Sequence, residues 1–247
     1  MCQRCGDTLD QPGTEYGYLC RTCRLAPPPF ARAVAYGPYE GRMRDAIHAL
    51  KYDGMRPAAM GLGRALAIAI AQLAATAPAD LLAVPVPLHR SKSSARGFNQ
   101  ARLLASEALA ALRRTHPEWH LTLAADTLLR QRSTGTQAGL TPRQRRINVR
   151  GAFRVADNST VAGRHILLID DILTTGATAR AAAQALLKAG AETVWVATLA
   201  RARRTHAARH KTLTAWKEAR LSGMPGNTFA TVAETKGMFR TTDPPSL

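Results

Sequence analysis

Apolar residues recur along this chain with two different periods, and the alternation between them predicts an α/β fold. ARAVAY (31–36) reads as a strand, and EGRMRDAIHALKY (40–52) then sets Met43, Ile47 and Leu50 at helical spacing. An Ala- and Leu-rich helix is expected from Met60 to Ala75, closed by Pro78, followed by a short apolar strand, LLAVPVP (81–87), that its prolines stop. FNQARLLASEALAALRR (98–114) aligns Leu103, Leu104, Ala108 and Leu112 for packing on a sheet, and DTLLRQR (126–132) reads as a strand. TPRQRRINV (141–149) opens with a Thr N-cap and a Pro in the first helical position, which marks a short helix. HILLID (165–170) is apolar on both faces, as a central parallel strand must be. ATARAAAQALLKAG (177–190) is a helix closed by Gly190, and TVWVATLA (193–200) completes a strand, helix, strand unit. The expected architecture is a mostly parallel sheet with helices on both faces.

The start of the chain lies outside this pattern. All four cysteines fall in its first 23 residues, Cys2, Cys5, Cys20 and Cys23, as two CxxC pairs separated by fourteen residues. Two such knuckles can aim four thiolates at one tetrahedral Zn²⁺, and so short a segment has too little apolar surface to fold unaided. Structural disulfides and a redox CxxC are the alternatives; a reducing compartment disfavours the first, and the lack of a long following helix disfavours the second. Four cysteines leave no open coordination position, so the expected role is structural. The segment after Cys23, RLAPPPF, is a stiff extended connector. The expected division is a zinc ribbon at 1–24, a Pro-rich linker at 25–30, an α/β domain at 31–200 and a basic, weakly ordered tail at 201–247.

Charge narrows the class of ligand. The 34 Lys and Arg exceed the 17 Asp and Glu, giving a formal net charge of +17, which calls for a polyanionic partner or an anionic ligand. The most apolar stretch, Ala65 to Ala77, falls short of the roughly 20 residues that span a bilayer, and the N-terminus has no secretory pattern. A soluble cytoplasmic protein without membrane insertion is expected.

Against that charge, HILLIDDILTTGAT (165–178) is unusual, because an apolar strand runs into two adjacent acids and then a tract of threonine and glycine. In an open parallel sheet, ligands bind where strands end and helices begin. Thr174, Thr175 and Thr178 supply hydroxyls, Gly176 allows close approach, and the backbone amides around Ala177 open a helix, which together suit a phosphate monoester. Asp170 and Asp171 suit the vicinal hydroxyls of a ribose joined to that phosphate. The string resembles the 5-phosphoribosyl 1-pyrophosphate (PRPP) signature of type I phosphoribosyltransferases, which have a Rossmann-like fold. With VPVPLHRSKSSARGFNQA (84–101), LLRQRSTGTQAGLTPRQRRINVRGAF (128–153), LKYDG (50–54) and the four cysteines, the chain resembles the ComF family, including ComFC and GntX-like proteins, over about residues 1–200. It departs from that pattern at TGTQ (134–137), where a proline is usual in third place.

This resemblance implies a PRPP-binding site with Mg²⁺, with Asp170 and Asp171 at the ribose and metal and residues 174–178 at the 5-phosphate. It places a pyrophosphate loop near Val86 to Arg90. Arg90, Arg96 and Arg132 are the pyrophosphate candidates; Arg130, Gln137, Arg145 and Asn148 are candidates on a closing loop, and Lys51 is a weaker one. From Thr127 to Ala156 there are seven arginines and no acid, which fits either a solvated face or a flap over pyrophosphate. His48, His89 and His165 show no metal-ligand spacing and read as core or surface residues. Two functions follow: a phosphoribosyl transfer enzyme of unknown acceptor, or an accessory factor for single-stranded DNA that binds PRPP or a nucleotide as a signal. The resemblance links the chain to natural transformation alongside a helicase-like competence partner, or to DNA as a nutrient. A PRPP-sensing regulator is a third reading, disfavoured by the lack of a helix-turn-helix pattern.

Overall fold

A computed structural model describes residues 1–9, 18–52, 55, 57–89, 97–132, 149 and 151–202. Five strands, β1 (Ala33–Pro38), β2 (Asp80–Pro85), β3 (His120–Leu123), β6 (His165–Leu173) and β7 (Thr193–Arg201), form one sheet in the order β1-β7-β6-β2-β3. Every neighbouring pair in it is parallel. Two further strands, β4 (Leu128–Arg130) and β5 (Phe153–Val155), pair antiparallel as a separate small sheet.

β6 explains the layering. Its side chains alternate, so Leu167 and Ile169 enter one core while Ile166 and Leu168 enter the other, and all four are fully buried. The first core is closed by helices α2 (Gly41–Tyr52), α3 (Ala58–Ala71) and α4 (Gln100–Thr115). The second is closed by helix α5 (Ala177–Lys188) together with Leu128, Phe153 and Val155 of the small sheet. A strand buried on both faces has no room for the polar alternation of a surface strand, which is why 165–169 reads as an unbroken apolar run.

The connections set the site. The chain leaves β2 for α4 on one face of the sheet and leaves β6 for α5 on the opposite face, while β2 and β6 are neighbours. Their carboxyl ends therefore flank a crevice, the switch point at which open parallel sheets take ligands. Pro85 stands beside Ile169 in the register, and the Val86 N–H donates to the Ile169 carbonyl at 2.8 Å, so the loop after β2 starts against the two aspartates.

The four-cysteine segment and the prolines after it are anchored to the sheet and its helices. A short helix α1 (Arg21–Leu25) carries Cys23, the Ala33 N–H donates to the Arg4 carbonyl at 2.8 Å, and Phe30 is buried in the second core. Arg180 of α5 donates to the carbonyls of Ala26 and Pro27 at 2.7 and 3.1 Å. β3 and β5 were not expected from the sequence; at four and three residues they are too short to carry a period. β7 runs one residue past the expected strand, to Arg201. The helix expected at 141–149 lies outside the described residues except for Val149, as does the expected tail beyond Ala202.

Helices α3 and α4 cross at Gly63, where a Cβ would fall 2.2 Å from the Glu107 Cβ and 3.1 Å from its carbonyl carbon. Gly61, two positions away, faces open space. Gly63→Ala should therefore lower stability by about 1–3 kcal/mol through overpacking, whereas Gly61→Ala should raise it by up to about 1 kcal/mol through helix propensity. Chemical denaturation of the two variants checks the contrast, and equal effects would refute the close crossing.

Candidate functional site

At the end of β6 the strand's own alternation separates the two acids. Asp171 turns toward the helical face that holds α2 and α4, is 5% exposed, and meets Lys51 Nζ at 2.6 Å through Oδ2. Gln100 Nε2 donates to the same oxygen at 3.3 Å. Asp170 is half-buried, and its Oδ1 accepts the Asp171 N–H at 2.9 Å. Its charged neighbour on the other side is Arg130 at the end of β4: burial lowers the pKa of this guanidinium, and the Asp170 carboxylate acts against that. Arg130 also lies over the Phe153 ring, 5.4 Å from its centre. Lys51 thus acts on both acids and pairs directly with Asp171, while Asp170 also acts on Arg130 of the opposite layer.

Beyond Asp171 the strand continues through Leu173, so the turn is confined to Thr174, Thr175 and Gly176. Gly176 is the N-cap of α5 at φ +75°, a backbone conformation that side chains disfavour. It offers no side-chain cap, while the Thr175 hydroxyl accepts the Ala177 N–H at 3.3 Å. Thr174, Thr175 and Thr178 are half-buried, and Ala177 is buried beneath them. The loop is thus a helix N-terminus rimmed by hydroxyls, suited to an anion.

A neighbouring cavity of about 360 Å³ is lined by Pro87, Leu88 and His89 after β2 and by Arg130 and Arg154 of the small sheet. It joins the segment expected to meet pyrophosphate with a loop candidate, Arg130. Arg132 is described and exposed. Arg90, Arg96, Gln137, Arg145 and Asn148 lie outside the described residues. Of the three histidines, His165 bonds Thr193 Oγ1 at 2.9 Å and His48 packs against Tyr52, as structural residues would, while His89 faces the cavity.

Lys51, a weaker candidate from the sequence, forms the shortest ion pair among the described residues. Gln100 was not expected. Its signal was present: it starts the apolar stripe that continues through Leu104 and Ala108, and a polar residue on a buried stripe needs a partner. Arg201 was also missed because it sits in a basic run. It is 7% exposed, and its Nη1 donates to the Leu173 carbonyl at 2.8 Å, at the end of β6, and also to the Thr174 carbonyl, which opens the turn.

The four cysteines are free thiols whose sulfurs all lie within 4.8 Å of one another. Cys5 and Cys20 are 3.7 Å apart, close to the roughly 3.8 Å edge of a tetrahedron with 2.3 Å metal–sulfur bonds. The Cys20 N–H donates to Cys2 Sγ at 3.3 Å. A hydrogen bond from Cys23 brings Cys5 down to about 5, aided by the Asp7 backbone and Arg201, whereas the bond to Cys5 pushes Cys23 up and burial pushes Cys20 up. Convergent sulfurs that share protons in this way form a cluster consistent with a metal site, and they do not pair as disulfides would.

Burial first, and the Asp171 carboxylate second, push Asp170 from 3.8 up to about 8, with Lys51 pulling the other way. A carboxyl raised in the folded state contributes stability that is complete below about pH 4 and is lost as pH rises through about 8. Asp170→Asn escapes that loss. Its melting temperature relative to the wild type should climb between pH 4 and pH 8 and level off above; a difference independent of pH would show that Asp170 ionises normally.

Comparison with known proteins follows the same lines. The phosphoribosyl transferase domain matches residues 99–220, a span that includes α4, β6 and the turn into α5. DNA utilization protein YhgH of Escherichia coli (strain K12) is 34% identical over 203 residues, which are 81% of this chain and 84% of the relative. Competence protein F of Haemophilus influenzae is 29% identical over 205 residues with the same coverage, 81% and 84%. Competence protein ComFC of Bacillus subtilis is 36% identical over 107 residues, 43% of this chain and 38% of the relative. Identity at this level through four-fifths of both chains means that the protein belongs to the ComF/YhgH family and carries its phosphoribosyltransferase domain.

Proposed function

We propose that this protein binds PRPP with Mg²⁺ at the carboxyl ends of β2 and β6 and transfers its phosphoribosyl group to an acceptor not identified by the structure. The observation that carries this reading is the continuity of the site: two acids stand near the end of the central strand, which runs to Leu173, and after a three-residue turn a hydroxyl-rimmed helix begins at Ala177. The turn and the first amides of α5 would hold the 5-phosphate. Asp170, and Asp171 once drawn from Lys51, would accept hydrogen bonds from the ribose hydroxyls. Mg²⁺, when bound, would be held near Asp170 and Asp171 largely by substrate oxygens and would neutralise charge on the pyrophosphate.

In such a transfer the acceptor's lone pair forms the new bond to C1 as the C1–O bond to pyrophosphate breaks, and the bonding pair leaves with pyrophosphate. The ribose carries positive charge in the transition state, which the Asp171 carboxylate, and Asp170 once it has lost its proton, would stabilise. Arg130, with Arg90, Arg96 and Arg132, would offset charge on the leaving group. Gln137, Arg145 and Asn148 belong to a segment that would close over it. The cysteine cluster would hold Zn²⁺ in a structural role. In this reading residues 1–24 are the ribbon, 25–30 a linker, 31–200 the transferase domain and 201–247 a basic tail, and the protein works in the cytoplasm.

A second reading is favoured by the charge of +17 and by relatives named for DNA utilization and competence. Here the chain engages single-stranded DNA through its phosphates, and PRPP or a nucleotide serves as a signal within DNA uptake or DNA use. The two readings share the same pocket and differ in whether pyrophosphate is released.

Asp170→Asn/Asp171→Asn should weaken PRPP binding at least about a hundredfold in calorimetry, since each charge-assisted bond is worth about 1.5–3 kcal/mol. Unchanged affinity would sink the assignment. Pyrophosphate release from PRPP and Mg²⁺, followed with and without candidate bases and single-stranded DNA, separates turnover from binding alone. DNA affinity resting on two or more phosphate contacts should fall at least about tenfold between about 50 and 200 mM salt; no binding at low salt would remove the DNA reading.

A further inference from the structure

We infer that Arg201 is a positioning residue that ties the four-cysteine site to the phosphate-binding turn, so that metal at one and phosphoribosyl ligand at the other favour each other. This rests on the PRPP-site reading above and extends it. The guanidinium is buried and divided between two partners. Nη1 donates to the Leu173 and Thr174 carbonyls. Nη2 pairs with Asp7 Oδ2 at 3.2 Å and lies 4.0 Å from Cys5 Sγ. Asp7 is two residues from Cys5, is itself 6% exposed, and its carbonyl accepts the Cys2 N–H at 2.7 Å.

Peptide geometry shows what the Nη1 bonds accomplish. In a planar trans peptide the carbonyl and the following N–H point in opposite directions. Drawing the Leu173 carbonyl toward Arg201 turns the Thr174 N–H away from it, and drawing the Thr174 carbonyl turns the Thr175 N–H away likewise. One guanidinium nitrogen therefore aims two successive amides, with the helix start behind them, as an anion-binding concavity requires. The Ala202 N–H reinforces the arrangement by donating to the Leu173 carbonyl at 3.0 Å.

The other half of the fork sets the condition. A buried guanidinium holds its position only while its charge is matched, and Asp7 provides the matching charge, with the Cys5 sulfur as a further contact. Both stand on the knuckle between Cys2 and Cys5 and its immediate continuation, whose shape depends on the cysteine cluster being closed. Residues fit for a metal and residues fit for a phosphate thus share one rigid cation, and linkage through it must be reciprocal.

The test uses the full chain and ribose 5-phosphate as probe. Calorimetry on wild-type protein loaded with Zn²⁺ and after its removal should show affinity about tenfold weaker without metal, and ribose 5-phosphate should tighten Zn²⁺ binding by the same factor. Arg201→Lys, which keeps the charge but cannot span both partners, should bring that ratio close to one. Asp7→Asn should do the same, and it keeps the test decisive if the arginine variant fails to fold. Should metal removal unfold the wild type, the metal-loaded Asp7→Asn protein must still bind ribose 5-phosphate more weakly than wild type. A ratio of one in the wild type, a wild-type ratio in Arg201→Lys, or unchanged affinity in metal-loaded Asp7→Asn would overturn the linkage while leaving the PRPP site standing. Failure of the metal-loaded wild type to bind either PRPP or ribose 5-phosphate would overturn both.

Discussion

Successive residues of a strand must face opposite sides of their sheet, and the chemistry of this protein is arranged around that constraint at the end of β6. Two adjacent acids placed there turn toward opposite layers while still acting on each other. Asp171 is drawn into the layer of α2 and α4, where Lys51 and Gln100 meet it, and Asp170 remains beside Arg130 of the opposite layer. Elements on both faces are needed for this: without α2 there is no Lys51, and without the β4–β5 sheet there is no Arg130. Asp171 is held inward by a lysine, while Asp170 stands at the crevice, where burial and the neighbouring carboxylate make it hold its proton more tightly.

Much of the fold was legible because its main elements repeat their pattern long enough to be recognised. β6 and α5 are nine and twelve residues long, and the sharp change between them marks the site. The acids and the threonine tract were legible for the same reason, since their order along the chain is also their order in space. The partners of those acids were not. Lys51 and Gln100 come from elements far away in sequence, and only the folded topology brings them to Asp171. Arg201 was hidden differently: in sequence it opens a run of basic residues, which normally means solvent, yet its neighbours in space are two carbonyls and an aspartate. β3 and β5 escaped because three or four residues cannot show a period.

The ribbon is bound to the domain by contacts of several kinds, which bears on how such a small cluster could matter to a pocket elsewhere. The Arg4 carbonyl takes an N–H from β1, Gly6 passes so close to the Ala33 carbonyl that a Cβ would lie 3.2 Å from it, and Asp7 meets Arg201. The connector adds to this, since Arg180 grips its backbone and Phe30 is buried in the second core. A stiff Pro-rich segment fixed at several points transmits position, whereas a flexible one would absorb it.

The pairing of β1 with β7 has a consequence for the order of assembly. The earliest strand of the sheet lies beside the latest, with Ala33 opposite Val196 and Pro38 opposite Arg201. During synthesis the cysteine knuckles can close within the first two dozen residues, but the edge on which they rest gains its neighbour only after residue 201 has emerged. Contacts so distant along the chain are slow to form and come late. The ribosome thus delivers the metal-ligating segment first and the strand that connects it to the pocket last, so completion of β7 is the step at which two separately built halves become one protein.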